Sequence, residues 1–288
     1  MKKRNRFGIF TLVLILSLCG CTQDKIPISS SSDVQKEQDT LPEAEITPEE
    51  EPFLYWYQNL NEEEKTRYRQ ILAGIENYED SVTVEVCSEE EINKVSNLVF
   101  VDHPEIFWLE QQNYSFNQKE NSDVDLLELN LVYNMGKDEI EDTKQQIEAK
   151  AEEWSQELSN CENEYDKIKY VYEFLGKNVL YDSESENNQN IQSVFLNQST
   201  VCMGFAKATQ YLLVRNGIFC TLVTGKVIPE NMEHAWNLVR IGENYYYVDT
   251  TWSSSGFVPE EDSIQDFSYT YLCCTAQTLE RSHVPDDN

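Results

Sequence analysis

Residues 202–249 leave this chain little choice of local structure. From Gly204 to Gly217 the apolar side chains Phe205, Ala208 and Leu212 fall on one helical face, and Gly217 is a natural stop. Cys202 therefore opens a helix. Residues 218–225 read as an inner strand with Cys220 in the core, and 234–241 and 244–249 as the next two strands. Between them Gly242-Glu243 suits a two-residue hairpin with Gly at its first central position, a type II′ turn. That turn sets Ile241 opposite Asn244 and Trp236 opposite Asp249. His234, two residues from Trp236, then shares a face with Asp249. A slip of one residue would part them.

A thiol, an imidazole and a carboxylate in that order are the parts of a nucleophile–base–orienter relay. At a helix N-terminus, unpaired N–H groups and the positive end of the dipole favour thiolate at Cys202. The same N–H groups can face the oxyanion of a tetrahedral intermediate. His234 would take the Cys202 proton and Asp249 would fix the imidazole tautomer. Gln192 and Gln198 are both candidates for a side-chain oxyanion donor, and the sequence does not choose between them. Trp236 and Trp252 are candidate walls of the site as well as core residues.

The ends and the charge bound the setting. Lys2, Lys3, Arg4 and Arg6 precede a short apolar run from Phe7 to Leu18, the pattern of a signal segment over 1–20. Leu18-Cys19-Gly20-Cys21 resembles a bacterial lipobox, which makes Cys21 the expected lipidated first residue of the mature chain. Export to the outer face of the cell membrane follows as an expectation. The chain carries 22 Lys and Arg against 52 Asp and Glu, a formal net charge of −30, and a body so acidic repels nucleic acid. Cys273-Cys274 with His283 lacks the paired spacing of a metal site, so neither metal nor cofactor is expected.

Residues 21–52 have the composition of a disordered acidic tether, with Ser29 to Ser32 and Glu49-Glu50-Glu51. Order is expected from Phe53. A small α+β unit over 53–135 follows: a helix capped at Asn61, a strand over 81–86 and a helix opened by Ser88. Strands are also expected over 106–109 and 125–133, with His103 beside Pro104 at a turn or cap. Residues 136–160 read as a charged helical linker. Within 161–288 a helix runs over 164–179, with Ile168, Val171, Tyr172 and Leu175 on one stripe.

From about Tyr165 onward the segments resemble the transglutaminase-like superfamily, whose core is a papain-like cysteine enzyme fold. The resemblance lies in Val179-Leu180-Tyr181-Asp182, Val201-Cys202-Met203-Gly204-Phe205-Ala206, Gly217-Ile218, Gly225, His234-Ala235-Trp236-Asn237 and Tyr247-Val248-Asp249-Thr250-Thr251-Trp252. It ends with a strand over 269–272 followed by His283. Phe205 stands where the family often has Tyr. The resemblance implies an α+β papain/transglutaminase-like core with catalytic Cys202, His234 and Asp249. The unit before it resembles regions preceding such domains in Gram-positive lipoproteins. The expected activity is acyl transfer from protein or peptide amides through a thioester, to water or to an amine. The alternative is an inactive module of the same fold binding cell-wall or extracellular proteins.

Overall fold

The structure, a computed structural model, describes residues 41–109, 116–119, 126–253 and 267–286. The signal segment 1–20 and Cys21 lie outside the described residues, as does most of the tether. Order reaches further back than Phe53: Ala44 is buried, its N–H donates to the Arg69 carbonyl at 2.9 Å, and Glu43 pairs with Arg69 at 2.7 Å.

The first half comprises helices α1 (Tyr55–Gln58), α2 (Glu62–Glu76) and α3 (Glu89–Asp102) with strands β1 (Ser81–Glu85), β2 (Phe116–Lys119) and β3 (Leu126–Asn130). β3 lies between β1 and β2, antiparallel to both. A reciprocal capping box starts α2. The Asn61 side chain accepts from the Glu64 N–H, and the Glu64 carboxylate accepts from the Asn61 N–H, both at 3.0 Å. Ser88 caps α3 by accepting from the Glu91 N–H at 3.1 Å, and His103 closes that helix. The expected strand over 106–109 is a correction. Ile106, Phe107, Trp108 and Leu109 are buried, yet only Leu109 makes a bridge, to Tyr133. Just past the helix end at Pro104, this run enters the core as a loop, and Asn134 satisfies the Phe107 and Trp108 carbonyls.

Helix α4 (Lys137–Ser155) covers the stretch expected as a linker. It turns Ile140, Ile147, Ala151 and Trp154 inward at helical spacing. Those residues belong to the same apolar cluster as Tyr68 and Ile92 before them and Tyr172 and Phe205 after them. Trp154 stacks on Phe195, ring centroids 4.8 Å apart.

Helix α5 (Glu164–Asn178) leads into the two-residue strand β4 (Leu180–Tyr181), paired in parallel with β5 (Ser199–Thr200). Helix α6 (Cys202–Arg215) packs on a four-stranded antiparallel sheet of β6 (Cys220–Val227), β7 (Met232–Ile241), β8 (Asn244–Val248) and β9 (His283–Pro285), in the order β8-β7-β6-β9. The buried Asn237 amide joins helix to sheet, donating to the Ala206 carbonyl at 2.9 Å and the Thr221 carbonyl at 3.4 Å. The short helix α7 (Ala276–Leu279) precedes β9. The expected strand over 269–272 is absent. Those residues form a turn in which the Leu272 N–H donates to the Tyr269 carbonyl, and the last sheet strand is β9 instead. The turn frees the Tyr271 carbonyl to accept from the Asp249 N–H at 3.0 Å.

Lys207 is buried on α6, and among the described residues nothing accepts from its ammonium group. Burial pulls its pKa down to about 8. Desolvation of an ammonium group on so largely buried a side chain is destabilising, so Lys207→Met is expected to raise stability by about 1–3 kcal/mol near neutral pH. The folded-state pKa lies below the ordinary 10.5, so the gain should shrink as pH rises from about 8 toward 10.5. Thermal melts across that range check both the sign and the slope.

Candidate active site

Helical geometry leaves the N–H groups of Cys202, Met203 and Gly204 outside the ladder of α6. The first such bond runs from the Phe205 N–H to the Val201 carbonyl. Val201, the extended cap residue, offers them no side-chain acceptor. The Cys202 thiol is partly exposed beside those donors. Gly204 is required by space: a Cβ there would stand 1.9 Å from the Thr200 hydroxyl oxygen. That hydroxyl, bonded to Ser193 at 2.7 Å and to the Asn188 carbonyl at 2.9 Å, packs the preceding loop against the helix start.

The hairpin delivers the other two groups. Ile241 pairs with Asn244 and Asn237 with Val248, the register expected from Gly242-Glu243. Gly242 has φ +58°, as the first central residue of such a turn requires. His234 on β7 and Asp249 just past β8 then meet, with Nε2 2.8 Å from Oδ2. The carboxylate only accepts here, so Nε2 donates. That leaves Nδ1 as the ring nitrogen available to Cys202, which is near enough to influence the charge on His234. Asp249 is fully buried, and its Oδ1 accepts from the Thr251 N–H at 3.0 Å.

Burial alone would lower the His234 pKa, but the Asp249 charge and hydrogen bond, with a smaller contribution from Cys202, raise it to about 10. Burial likewise works to raise the Asp249 pKa, and the His234 charge with hydrogen bonds from His234 and His283 overcomes it and holds the group at about 2. Imidazolium beside carboxylate is thus the favoured state across neutral pH. Trp236 lies under the His234 ring, centroids 5.9 Å apart and planes at 28°, and Trp252 stands at the same distance at 42°. Both tryptophans therefore flank the imidazole.

The two glutamines are placed differently. Gln198 is exposed, with φ +51°, and closes the π-helical turn Ser193–Asn197. Gln192 precedes that turn, half-buried, and its Oε1 is buried with no partner among the described residues. Among the described residues neither side chain bonds to Cys202. Tyr181 was not singled out as a site residue, yet Cys202 and Asp249 are close enough that their charges, after burial, raise its pKa. Its pairing with Thr200 sets it beside the Cys202 loop. Its only sequence signal was the Leu180-Tyr181-Asp182 run.

His283, weighed in the sequence only as a metal ligand with Cys273-Cys274 and as the end of the family resemblance, is the other residue that the structure brings to the Asp249 carboxylate. It is fully buried with Nε2 3.1 Å from Asp249 Oδ2. Single ligating atoms of His234, Asp249 and His283 lie within 4.8 Å of one another, and the two hydrogen bonds account for that closeness. Among the described residues no helix is long and apolar enough to cross a membrane.

Residues 152–250 match the Transglutaminase-like superfamily model, so the chain carries a domain of that kind. Kyphoscoliosis peptidase of Mus musculus is 23% identical over 147 residues, which is 45% of this chain and 22% of the relative. The chain thus spans about a fifth of the length of that curated relative. Among solved structures, a crystal structure of a TGase matches with TM-score 0.37 and 17% identity, covering 66% of this chain and 54% of that one. The periplasmic domain of TgpA from Pseudomonas aeruginosa, bound to ethylmercury, matches with TM-score 0.30 and 13% identity, covering 64% and 74%.

Proposed function

We infer, from a transglutaminase-like domain as premise, that this chain is a cysteine acyl-transfer enzyme acting on protein or peptide amides. The observation that carries the reading is the row of Cys202 at a helix start, His234 and the buried Asp249, with His234 Nε2 committed to Asp249 at 2.8 Å. We further place it outside the cell membrane, held by a lipid on Cys21, on the strength of the leader and lipobox alone. A charge of −30 favours substrates that present basic segments.

With His234 as imidazolium, the Cys202 sulfur attacks the amide carbonyl carbon as thiolate, and the carbonyl π electrons move to oxygen. The Cys202 backbone N–H faces that oxyanion. Nδ1–H of His234 protonates the leaving nitrogen, the C–N bond breaks, and ammonia or an amine departs, leaving a thioester. Water or a primary amine then adds to the thioester while Nδ1 takes its proton. The C–S bond breaks, returning the thiolate–imidazolium pair. Asp249 stays ionised throughout and holds the ring.

Intact-mass measurement after incubation with a library of carboxamide peptides tests the reading. An acyl adduct mapping to Cys202, with release of ammonia or amine, is expected. Adding a tagged primary amine separates transfer to amine from hydrolysis. A protein that forms no adduct, takes up no tag and releases neither ammonia nor cleaved peptide is not this enzyme.

A further inference from the structure

We propose that His283 is a positioning residue that clamps the Asp249 carboxylate and extends the relay from Cys202, His234 and Asp249 to a fourth side chain. The inference rests on the enzymatic reading above and assigns His283 no contact with substrate.

Three segments converge on one carboxylate. Asp249 Oδ2 accepts from His234 Nε2 at 2.8 Å and from His283 Nε2 at 3.1 Å, while Oδ1 accepts from the Thr251 N–H at 3.0 Å. With only His234 and Thr251 the group could tilt about its Cβ–Cγ bond and carry the His234 ring with it. A third donor, from β9 and so from outside the hairpin, removes that freedom. Because a carboxylate only accepts, His283 Nε2 carries the proton, which leaves Nδ1 facing the Ser282 hydroxyl at 2.8 Å. Ser282 Oγ is in turn 2.6 Å from the Tyr271 hydroxyl.

The seat of this histidine is built rather than incidental. Its ring is fully buried among Trp252, Trp236 and Tyr271, with centroids at 4.7, 4.9 and 5.0 Å. The ionisable groups facing it are Asp249, Tyr271 and His234, the last with ring centroids 5.4 Å away. His283 pairs with Val227 across β6 and β9, and at Gly225 on that edge a Cβ would stand 2.2 Å from the Val284 carbonyl oxygen and 2.7 Å from the Trp236 ring. The absence of a side chain there lets β9 close on β6 and bring His283 onto Asp249. A histidine needed only to fill space would not require both ring nitrogens to be bonded.

The test is the rate of Cys202 alkylation by iodoacetamide as a function of pH, read on the full chain by mass mapping of the modified cysteine. Wild type is expected to react fast near pH 6, and His234→Ala to lose that reactivity. His283→Ala is expected to slow the rate near pH 6 about tenfold and to leave the rate near pH 9.5, where any thiol is largely ionised, within about twofold. His283→Gln places an amide N–H where Nε2–H stood and should recover the rate to within about threefold. A wild-type profile in His283→Ala, or equal damage in Gln and Ala, overturns the proposal. Should His283→Ala not fold, Ser282→Ala decides: a loss of about two- to threefold near pH 6 is expected, and no loss overturns it. If His234→Ala collapses the profile and the His283 variants do not, the clamp alone fails. If His234→Ala also leaves it unchanged, the enzymatic reading fails too.

Discussion

Replacing Cys202 by alanine is expected to lower amide turnover by about 10⁴-fold or more while leaving the melting temperature within about 2 °C of wild type. The asymmetry comes from where the side chain sits. Cys202 is partly exposed at the first position of α6, so losing its sulfur removes little buried surface. Its chemistry has no substitute nearby. Cys220, on the strand that α6 covers, is fully buried, and burial pushes its thiol well above the ordinary range, far from nucleophilic use at neutral pH. A structural cysteine would give the opposite result, a lowered melting temperature with turnover intact. Turnover of a carboxamide peptide and a thermal melt on the same preparation separate the two. Retained turnover in Cys202→Ala sinks the thioester mechanism whatever the melt shows.

The parts of this site that the sequence discloses are the ones governed by short-range rules. A glycine at the first central position of a two-residue turn sets a register, and the register sets which side chains share a face. His234 and Asp249 follow from Gly242 alone. Cys202 at a helix start follows from apolar spacing and the stop at Gly217. His283 does not, because its neighbour Asp249 is reached through the pairing of β9 with β6, and nothing local to 283 states which strand it joins. The aromatic alternation of 269–272 reads as a strand, but Tyr271 spends its carbonyl on the Asp249 N–H, and a turn serves that better. The run 106–109 misleads in the same way: it is apolar because it is buried, not because it is paired. Tyr181 depends on a parallel pair two residues long, too short to leave a periodic trace.

Asp249→Ala is expected to cost both activity and fold, about 10³- to 10⁴-fold in turnover and about 3–5 kcal/mol in stability. The alanine leaves the Nε2–H groups of His234 and His283 and the N–H of Thr251 facing a buried gap where an acceptor stood. The pH dependence distinguishes this from loss of packing. Asp249 titrates at about 2 in the folded chain against an ordinary 3.8, so its contribution is present above 3.8 and is lost as pH falls toward 2. His234 titrates at about 10 against an ordinary 6.5, so its contribution is full below 6.5 and is lost as pH rises toward 10. The two describe one coupled pair and are not summed. Wild type should therefore exceed Asp249→Ala by the widest margin between about pH 4 and 6.5, with the margin narrowing on both sides. Urea unfolding of both proteins near pH 3, 5.5 and 9.5 measures it. A margin equal at all three would mean that the carboxylate fills space without holding a charged imidazole, and the relay would lose its orienting member.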